Sequence, residues 1–365
     1  MMKRRLRVGV VGIGKISGIY LKNLTTLFSD SVEVSAVADL EAARAEAAAA
    51  EYGIPRALSP EALVASPDVD LVLNLTIPAS HFDVSLRAVR AGKHVYVEKP
   101  LCVTREEAAV LGEAAAAAGV RIGGAPDTFL GAGIQTSRKL IDDGWIGTPL
   151  AASAAMMCRG HEHWHPAPEF YYKSGGGPMF DMGPYYLTAL VCLLGPAVRV
   201  CGSAKIGFPV RTISSEPQRG RTIEVSVPTH IAGVVDFASG ASATITTSFD
   251  VWSHTLPFIE IYGTEGTLRV PDPNTFGGPV LLKRGRAESW SEIPLAKDYP
   301  ENSRGLGVAD LARAVASGKP HRASGELCSH VLELMHGFHD ASASGTYYHV
   351  KSACARPEAL QPAAL

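Results

Sequence analysis

Five short apolar runs alternate with helix-patterned segments over the first 123 residues, and this alternation constrains the fold more than any other feature of the chain. Leu6–Val11 leads through Gly12-Ile13-Gly14 into a helical pattern reaching about Phe28. Val32–Ala38 precedes an Ala/Glu/Arg helix over Leu40–Tyr52, closed by Gly53. Leu71–Leu75 precedes a helix over Ala79–Arg90 that stops at Gly92. His94–Val97 comes before Thr104-x-x-Glu107, the spacing of a capping box, at the head of an Ala-rich helix ending at Gly119. Val120–Gly123 closes the series. Strands this continuously apolar are buried on both faces, so the pattern predicts a parallel sheet with helices on both sides.

Beyond Pro126 the texture changes. A helix over Gly131–Asp143 and a strand over Leu150–Met157 lead to a Gly-rich loop and a helix over Met182–Leu194. Pairs of short segments with hairpin signals follow: His230–Phe237 with Ser242–Phe249, Ile259–Tyr262 with Thr267–Val270, and Val280–Lys283 with Trp290–Ile293. They predict a largely antiparallel sheet. A late helix over Gly325–Ser342 precedes a short Tyr/His/Val stretch and a frayed tail. The 365 residues are therefore expected to form an α/β protein: a doubly wound domain over 1–126, an α+β domain over 127–350 and a tail over 351–365.

Composition narrows the partners. The chain is 46% hydrophobic and 19% charged with a formal net charge of −2, which excludes a disordered chain and argues against nucleic acid as a partner. No run approaches the roughly 18 apolar residues needed to span a bilayer. The start has a basic and then an apolar part, but Gly interrupts the apolar part and Lys15 follows, so a first strand is expected rather than a signal peptide. Six cysteines without a C-x-x-C pair read as small buried hydrophobes in a reducing compartment. A cytoplasmic protein without a membrane partner is expected.

Gly12-x-Gly14-x-x-Ser17 lies between strand and helix, where a phosphate-cradling turn belongs. The first glycine allows the tight turn; the second lets the backbone approach a pyrophosphate resting on the helix N-terminus. Ser17 is small enough to replace the third glycine. Gly12, Ile13, Gly14, Lys15 and Ile16 form the expected cofactor loop. Asp39 ends the second strand, where a carboxylate takes ribose hydroxyls and repels a 2′-phosphate, and Leu40 puts no Arg just after it. NAD is thus expected over NADP. The competing role for Asp39 is a helix N-cap.

Val95-Tyr96-Val97-Glu98-Lys99-Pro100 ends another strand, and strand C-termini face the ligand crevice of an open α/β sheet. At this point the chain resembles the glucose–fructose oxidoreductase/inositol dehydrogenase (Gfo/Idh/MocA) family. The resemblance is carried by the glycine loop with Asp39, by Thr76-x-Pro78-x-x-His81 running on to Ala91-Gly92-Lys93-His94-Val95-Tyr96-Val97-Glu98-Lys99-Pro100, and by Gly175-Gly176-Gly177-Pro178-Met179-Phe180-Asp181-Met182-Gly183. Tyr262-Gly263-Thr264-Glu265-Gly266-Thr267-Leu268 also fits, so nearly the whole chain is covered. The resemblance implies a Rossmann domain followed by a domain with a broad open-faced sheet, through which a homo-oligomer, dimer or tetramer, is expected. It implies NAD(P)-dependent dehydrogenases or reductases of sugars, inositols and polyols. It also implies Lys99 beside the reacting hydroxyl or carbonyl, Glu98 close to the nicotinamide ribose, and Thr76, Ile77, Pro78 and His81 lining the cofactor cleft.

Oxidising an alcohol requires charge stabilisation on oxygen and a proton acceptor. Lys99 suits the first task and, if desolvated, the second; its alternative is a surface lysine. Asp181 and Tyr185 are spaced i, i+4 and would share a helix face. The resembling family usually has His where Tyr185 stands, so the base is open between Tyr185, Lys99 and a histidine from elsewhere. Capping for Asp181 and packing for Tyr185 are the plain alternatives. His161, His163 and His165 would point one way if extended and could then bind zinc, but no metal is expected, since the resembling family transfers hydride without one. His163, Trp164, His165, Tyr171 and Tyr172 are instead expected to form a polar, aromatic substrate wall, against ordinary loop packing. Asp127 is expected to contact substrate hydroxyls, against a turn or cap role. The expected function is NAD-dependent hydride transfer with a carbohydrate or polyol, the substrate binding between the domains. The rivals are an NAD-using glycosidase or glycoside oxidase, and a catalytically silent NAD-binding regulator.

Overall fold

The computed structural model describes residues 5–360; residues 1–4 and the last five residues of the expected tail lie outside the described residues. The chain divides into two compact units. The first runs to Leu130 and takes back Asn302–Leu332; the second comprises Gly131–Glu301 and Glu333 onward. The sequence pattern, which placed everything from 127 to 350 in one domain, does not show this return.

The first unit holds β1 (Leu6–Val11), α1 (Ser17–Thr25), β2 (Val32–Ala38), α2 (Ala42–Tyr52), β3 (Ala57–Leu58), α3 (Pro60–Ala65), β4 (Leu71–Asn74), α4 (Pro78–Arg90), β5 (His94–Val97), α5 (Arg105–Ala118) and β6 (Ile122–Gly124). The strands form a parallel sheet in the order β3-β2-β1-β4-β5-β6. Strand order reverses between β1 and β4, the place where such sheets open a ligand crevice. The local signals are chemical. The Thr104 hydroxyl accepts from Glu107 N–H while the Glu107 carboxylate accepts from the Thr104 N–H, so α5 starts with both halves of its capping box. Gly53 and Gly119 end α2 and α5 in the left-handed conformation that glycine adopts without penalty. Pro60 opens α3 behind Ser59, whose hydroxyl accepts from Ala62 N–H. β4 is buried at all four residues, as a central parallel strand must be.

The second unit holds α6 (Ala132–Asp142), β7 (Pro149–Met157), α7 (Gly177–Asp181), α8 (Gly183–Leu194), β8 (Ala197–Lys205), β9 (Val210–Thr212), β10 (Thr222–Glu224), β11 (His230–Phe237), β12 (Ser242–Ser248), β13 (Ile259–Gly263), β14 (Gly266–Val270), β15 (Val280–Arg284), β16 (Ser291–Ile293) and β17 (Tyr348–His349). β9 and β10 form a separate ribbon; the rest make a nine-stranded sheet in the order β16-β15-β14-β13-β7-β12-β11-β8-β17. Only β7 and β12 pair in parallel, so the sheet is mostly antiparallel. α8 is apolar all round and buried along its whole length, the composition of a core helix rather than a surface one. Among the described residues no helix is long and apolar enough to cross a membrane.

Asp127 explains part of the chain's return to the first unit. The N–H groups of Gly305 and Gly307 donate to its Oδ2 at 2.9 and 3.0 Å, at the start of the Leu306–Ser317 helix. Its side chain is 1% exposed, so the substrate contact expected from sequence gives way to a buried helix cap. Burial pushes its carboxyl up to about 6, against the lowering effect of the two N–H donors. A carboxyl raised on folding stabilises the protein fully below its unfolded pKa and progressively less as pH rises through the folded one. Relative to Asp127→Asn, the natural protein should lose about 2–3 kcal/mol of unfolding free energy between pH 4 and pH 7. Urea denaturation of both proteins across that range checks this; parallel profiles would contradict it.

Candidate active site

In the first unit, the turn after β1 is shaped by two glycines with different jobs. Gly12 has φ +98°, and a Cβ there would lie 2.7 Å from the Leu75 carbonyl carbon, so only glycine fits. A Cβ on Gly14 would meet nothing within 4 Å. Here glycine keeps a space open rather than relieving a clash. Ile16 occupies the N-cap of α1 without a side-chain cap, and no acid stands in the first turn. The Ser17 hydroxyl folds back onto the Gly14 carbonyl at 2.8 Å. A bare helix N-terminus beside an open glycine suits a pyrophosphate. The Asp39 carboxylate accepts from Ile13 N–H at 2.7 Å and from Glu41 N–H at 2.9 Å, pinning the glycine loop to the end of β2. The N-cap position of α2 itself belongs to Glu41.

The ends of β4 and β5 are laced together beside this loop. Asn74 is fully buried at the end of β4; its amide donates to the His81 carbonyl and the Ser85 hydroxyl. Its carbonyl oxygen accepts from the Thr76 N–H and hydroxyl at 3.2 and 2.6 Å. Ile77 is exposed and Pro78 begins α4. The buried His81 ring spans the two turns, with Nδ1 2.7 Å from the Pro100 carbonyl oxygen and Nε2 3.0 Å from that of Thr76. Burial lowers its pKa, opposed by those two carbonyls. Glu98 is buried after β5. One carboxylate oxygen accepts from the Tyr20 hydroxyl at 2.9 Å and the other from the Lys99 N–H at 2.8 Å. Lys99 follows, half-buried. Every cofactor residue expected from sequence thus stands at the C-terminal edge of one sheet. Asn74 and Tyr20, which hold that edge, were not singled out; a polar residue at the end of an apolar strand was the available signal for Asn74.

In the second unit the segment after β7 is a turn, not the extended run that would align three histidines. The N–H groups of Trp164 and His165 both donate to the His161 carbonyl, at 3.3 and 3.0 Å. His163 is exposed, Trp164 is exposed, and His165 stacks edge-on between Trp164, Phe170 and Tyr171. Among the described residues no group of three or more His, Cys, Asp or Glu is placed to hold a metal ion. Tyr172, expected on the substrate wall, is fully buried. Its hydroxyl donates to the Glu162 carboxylate and accepts from the His161 N–H at 3.1 Å. Burial, with Glu162 next to it, pushes its phenol pKa up. Asp181 ends α7 and Tyr185 sits in the first turn of α8, with Met182 between the helices. They do not share one continuous helix. Asp181 meets His161 instead, Oδ2 to Nε2 at 3.2 Å, while Tyr185 is 8% exposed. His161, read from sequence only as part of a histidine triplet, is therefore the partner that sequence spacing missed.

Residues 6–124 match the Gfo/Idh/MocA oxidoreductase family with its NAD-binding Rossmann fold, and residues 134–269 match the GFO/IDH/MocA C-terminal domain. The chain belongs to the Gfo/Idh/MocA oxidoreductase family. It is 30% identical over 350 residues to Inositol 2-dehydrogenase 3 of Saccharopolyspora erythraea, covering 91% of this chain and 93% of that protein. It is 30% identical over 331 residues to 1,5-anhydro-D-fructose reductase of Ensifer adhaerens, covering 88% and 91%. Two solved structures share the fold. An NAD binding oxidoreductase from Klebsiella pneumoniae has TM-score 0.83 at 23% identity, covering 96% of this chain and all 100% of that one. Levoglucosan dehydrogenase in complex with NADH and L-sorbose has TM-score 0.82 at 18% identity, covering 95% and 99%. An NAD(P)-binding Rossmann domain is thus established for this Gfo/Idh/MocA protein, and its glycine loop fits the dinucleotide.

The two glycines should separate folding from binding. Gly12→Ala should cost about 1–3 kcal/mol of stability, because it combines a left-handed backbone with a clash against Leu75. Gly14→Val should leave the melting temperature nearly unchanged and weaken dinucleotide binding about tenfold or more, by filling the open space. Thermal melts and titration calorimetry check the pair; equal effects on both readouts would refute the division of roles.

Proposed function

We propose that this protein is an NAD-dependent dehydrogenase acting on a CH–OH group of a sugar, sugar derivative or inositol. The observation that carries the reading is Lys99, next to the fixed Glu98 carboxylate, on the same sheet edge as the open glycine loop. The similarity to an inositol dehydrogenase and to an anhydro-sugar reductase supports the substrate class. When bound, the nicotinamide supplies the hydride acceptor. The chain supplies the rest. Gly14 and the α1 N-terminus receive the pyrophosphate. Asp39 accepts the ribose hydroxyls, and Leu40, 93% exposed beside it, offers no cation to a 2′-phosphate. The Lys99 ammonium offsets the negative charge that grows on the substrate oxygen as its C–H bond breaks. Asp181 and Tyr185 bind substrate hydroxyls, and the base that takes the released proton is Tyr185 as its phenolate, Lys99 as its free amine (which becomes the ammonium by accepting it), or a histidine from elsewhere. His163 and Trp164, both exposed, and the half-buried His165 provide the edge against which a sugar ring packs. Self-association through the nine-stranded sheet belongs to the same reading, and sedimentation velocity would show it.

Screening sugars, inositols and glycosides by NADH absorbance tests the reading, and free aglycone without net NADH would overturn it in favour of glycoside cleavage. With a substrate in hand, Lys99→Ala should lower kcat by about 10²–10⁴-fold while NAD binding stays within a few-fold; persistent turnover would remove Lys99 from the chemistry. Asp39→Ala should weaken NAD about tenfold or more, and NADP much less. Equal losses would mean that Asp39 serves only the loop it pins.

A further inference from the structure

His161 sits in a cage of fixed geometry. Its ring lies 4.2 Å from that of Tyr171 and 4.6 Å from that of Phe249, centroid to centroid, and its side chain is 12% exposed. Trp164 stands edge-on at 5.4 Å. The two ring nitrogens have different partners. The Trp164 indole N–H lies 3.2 Å from Nδ1 and can only donate. Nδ1 must therefore accept, and the ring proton resides on Nε2, which faces Asp181 Oδ2 at 3.2 Å. The order of donors is fixed: Trp164 to His161 to Asp181. The backbone under this chain is fixed too. The His161 N–H donates to the Tyr172 hydroxyl, which donates to Glu162. Arg211 binds Glu162 at 2.7 Å and also Asp250. Gly160 has φ +93°, and a Cβ there would strike the Tyr172 hydroxyl, so the turn tolerates no side chain.

We propose that His161 is a positioning residue for Asp181: its Nε2–H donates to Oδ2 and fixes the orientation in which the carboxylate accepts a substrate hydroxyl. The inference rests on the assignment of Asp181 to the substrate site. It gives the buried Glu162–Arg211–Asp250 group a purpose beyond folding, because that group fastens the backbone from which the imidazole is presented. It also gives Trp164 a second task, since its N–H selects the tautomer that His161 needs.

Two measurements on the full chain test it. A long-range ¹H–¹⁵N correlation spectrum near pH 8, with His161→Gln identifying the resonance, should show a neutral ring protonated at Nε2. A ring protonated at Nδ1, or at both nitrogens, overturns the proposal whatever the substrate proves to be. If no polyol is oxidised at all, the functional reading fails and this spectrum still decides the tautomer. In kinetics, His161→Leu should lose about 10–100-fold in kcat/KM for the polyol with NAD binding unchanged. His161→Gln keeps an N–H donor for Asp181 and should stay within about threefold of the natural protein. Adding His161→Leu to Asp181→Ala should cause no further loss. Full activity in His161→Leu, additive losses in the double variant, or a Gln variant as poor as the Leu variant with an unchanged melting temperature would each refute the proposal.

Discussion

A strand buried on both faces satisfies its backbone only through neighbouring strands, and this requirement organises the first unit. Parallel neighbours need crossovers, so each strand is followed by a chain segment that returns to the opposite edge. All strand C-termini then emerge on one side. The glycine loop, Asp39, Thr76, Glu98 and Lys99 lie far apart in sequence and stand on that side for no other reason. The local chemistry adds precision. Asp39 ties the β1 turn to β2, Asn74 ties the β4 turn to α4, and His81 ties the β4 turn to the one after β5. The edge is a preorganised set of turns before any dinucleotide arrives.

In the second unit the decisive interaction is ionic. Arg211, Glu162 and Asp250 have side chains only 6%, 10% and 11% exposed. Burying unpaired charges would cost several kcal/mol each, so the group persists only because its members answer one another. Arg211 also donates to the carbonyls of Arg159 and Phe249. Burial raises the Glu162 carboxyl, but the bonds from Tyr172 and Arg211 outweigh it and leave the pKa below the ordinary value. Around them Tyr172, Ile213, Ile223, Val225 and Phe249 form a small apolar core. A loop with little regular structure becomes a fixed platform for His161.

Much of this was legible in the residues. The apolar runs marked β1, β2, β4 and β5 nearly to their ends, and the β11 boundaries agree with the hairpin reading. The capping box at Thr104 and the glycine stops at Gly53 and Gly119 are local devices, written in consecutive residues. Other elements escaped. β3 is two residues long, too short for a period, and α3 is a single short helix behind Ser59. The Leu306–Ser317 helix has one apolar side, but Asp127, which caps its start, lies nearly 180 positions earlier in the sequence.

The sequence by itself determined the class of fold, the dinucleotide turn and the family, because periodicity, caps and tight turns depend on near neighbours. It could not distinguish Asp127 as a cap from Asp127 as a ligand, Tyr172 as core from Tyr172 as wall, or His161 from its two neighbours in the histidine run. Those distinctions rest on which distant group fills the space opposite each side chain. Only the tertiary structure supplies that, since a polar atom's role follows from the donor or acceptor that burial places against it.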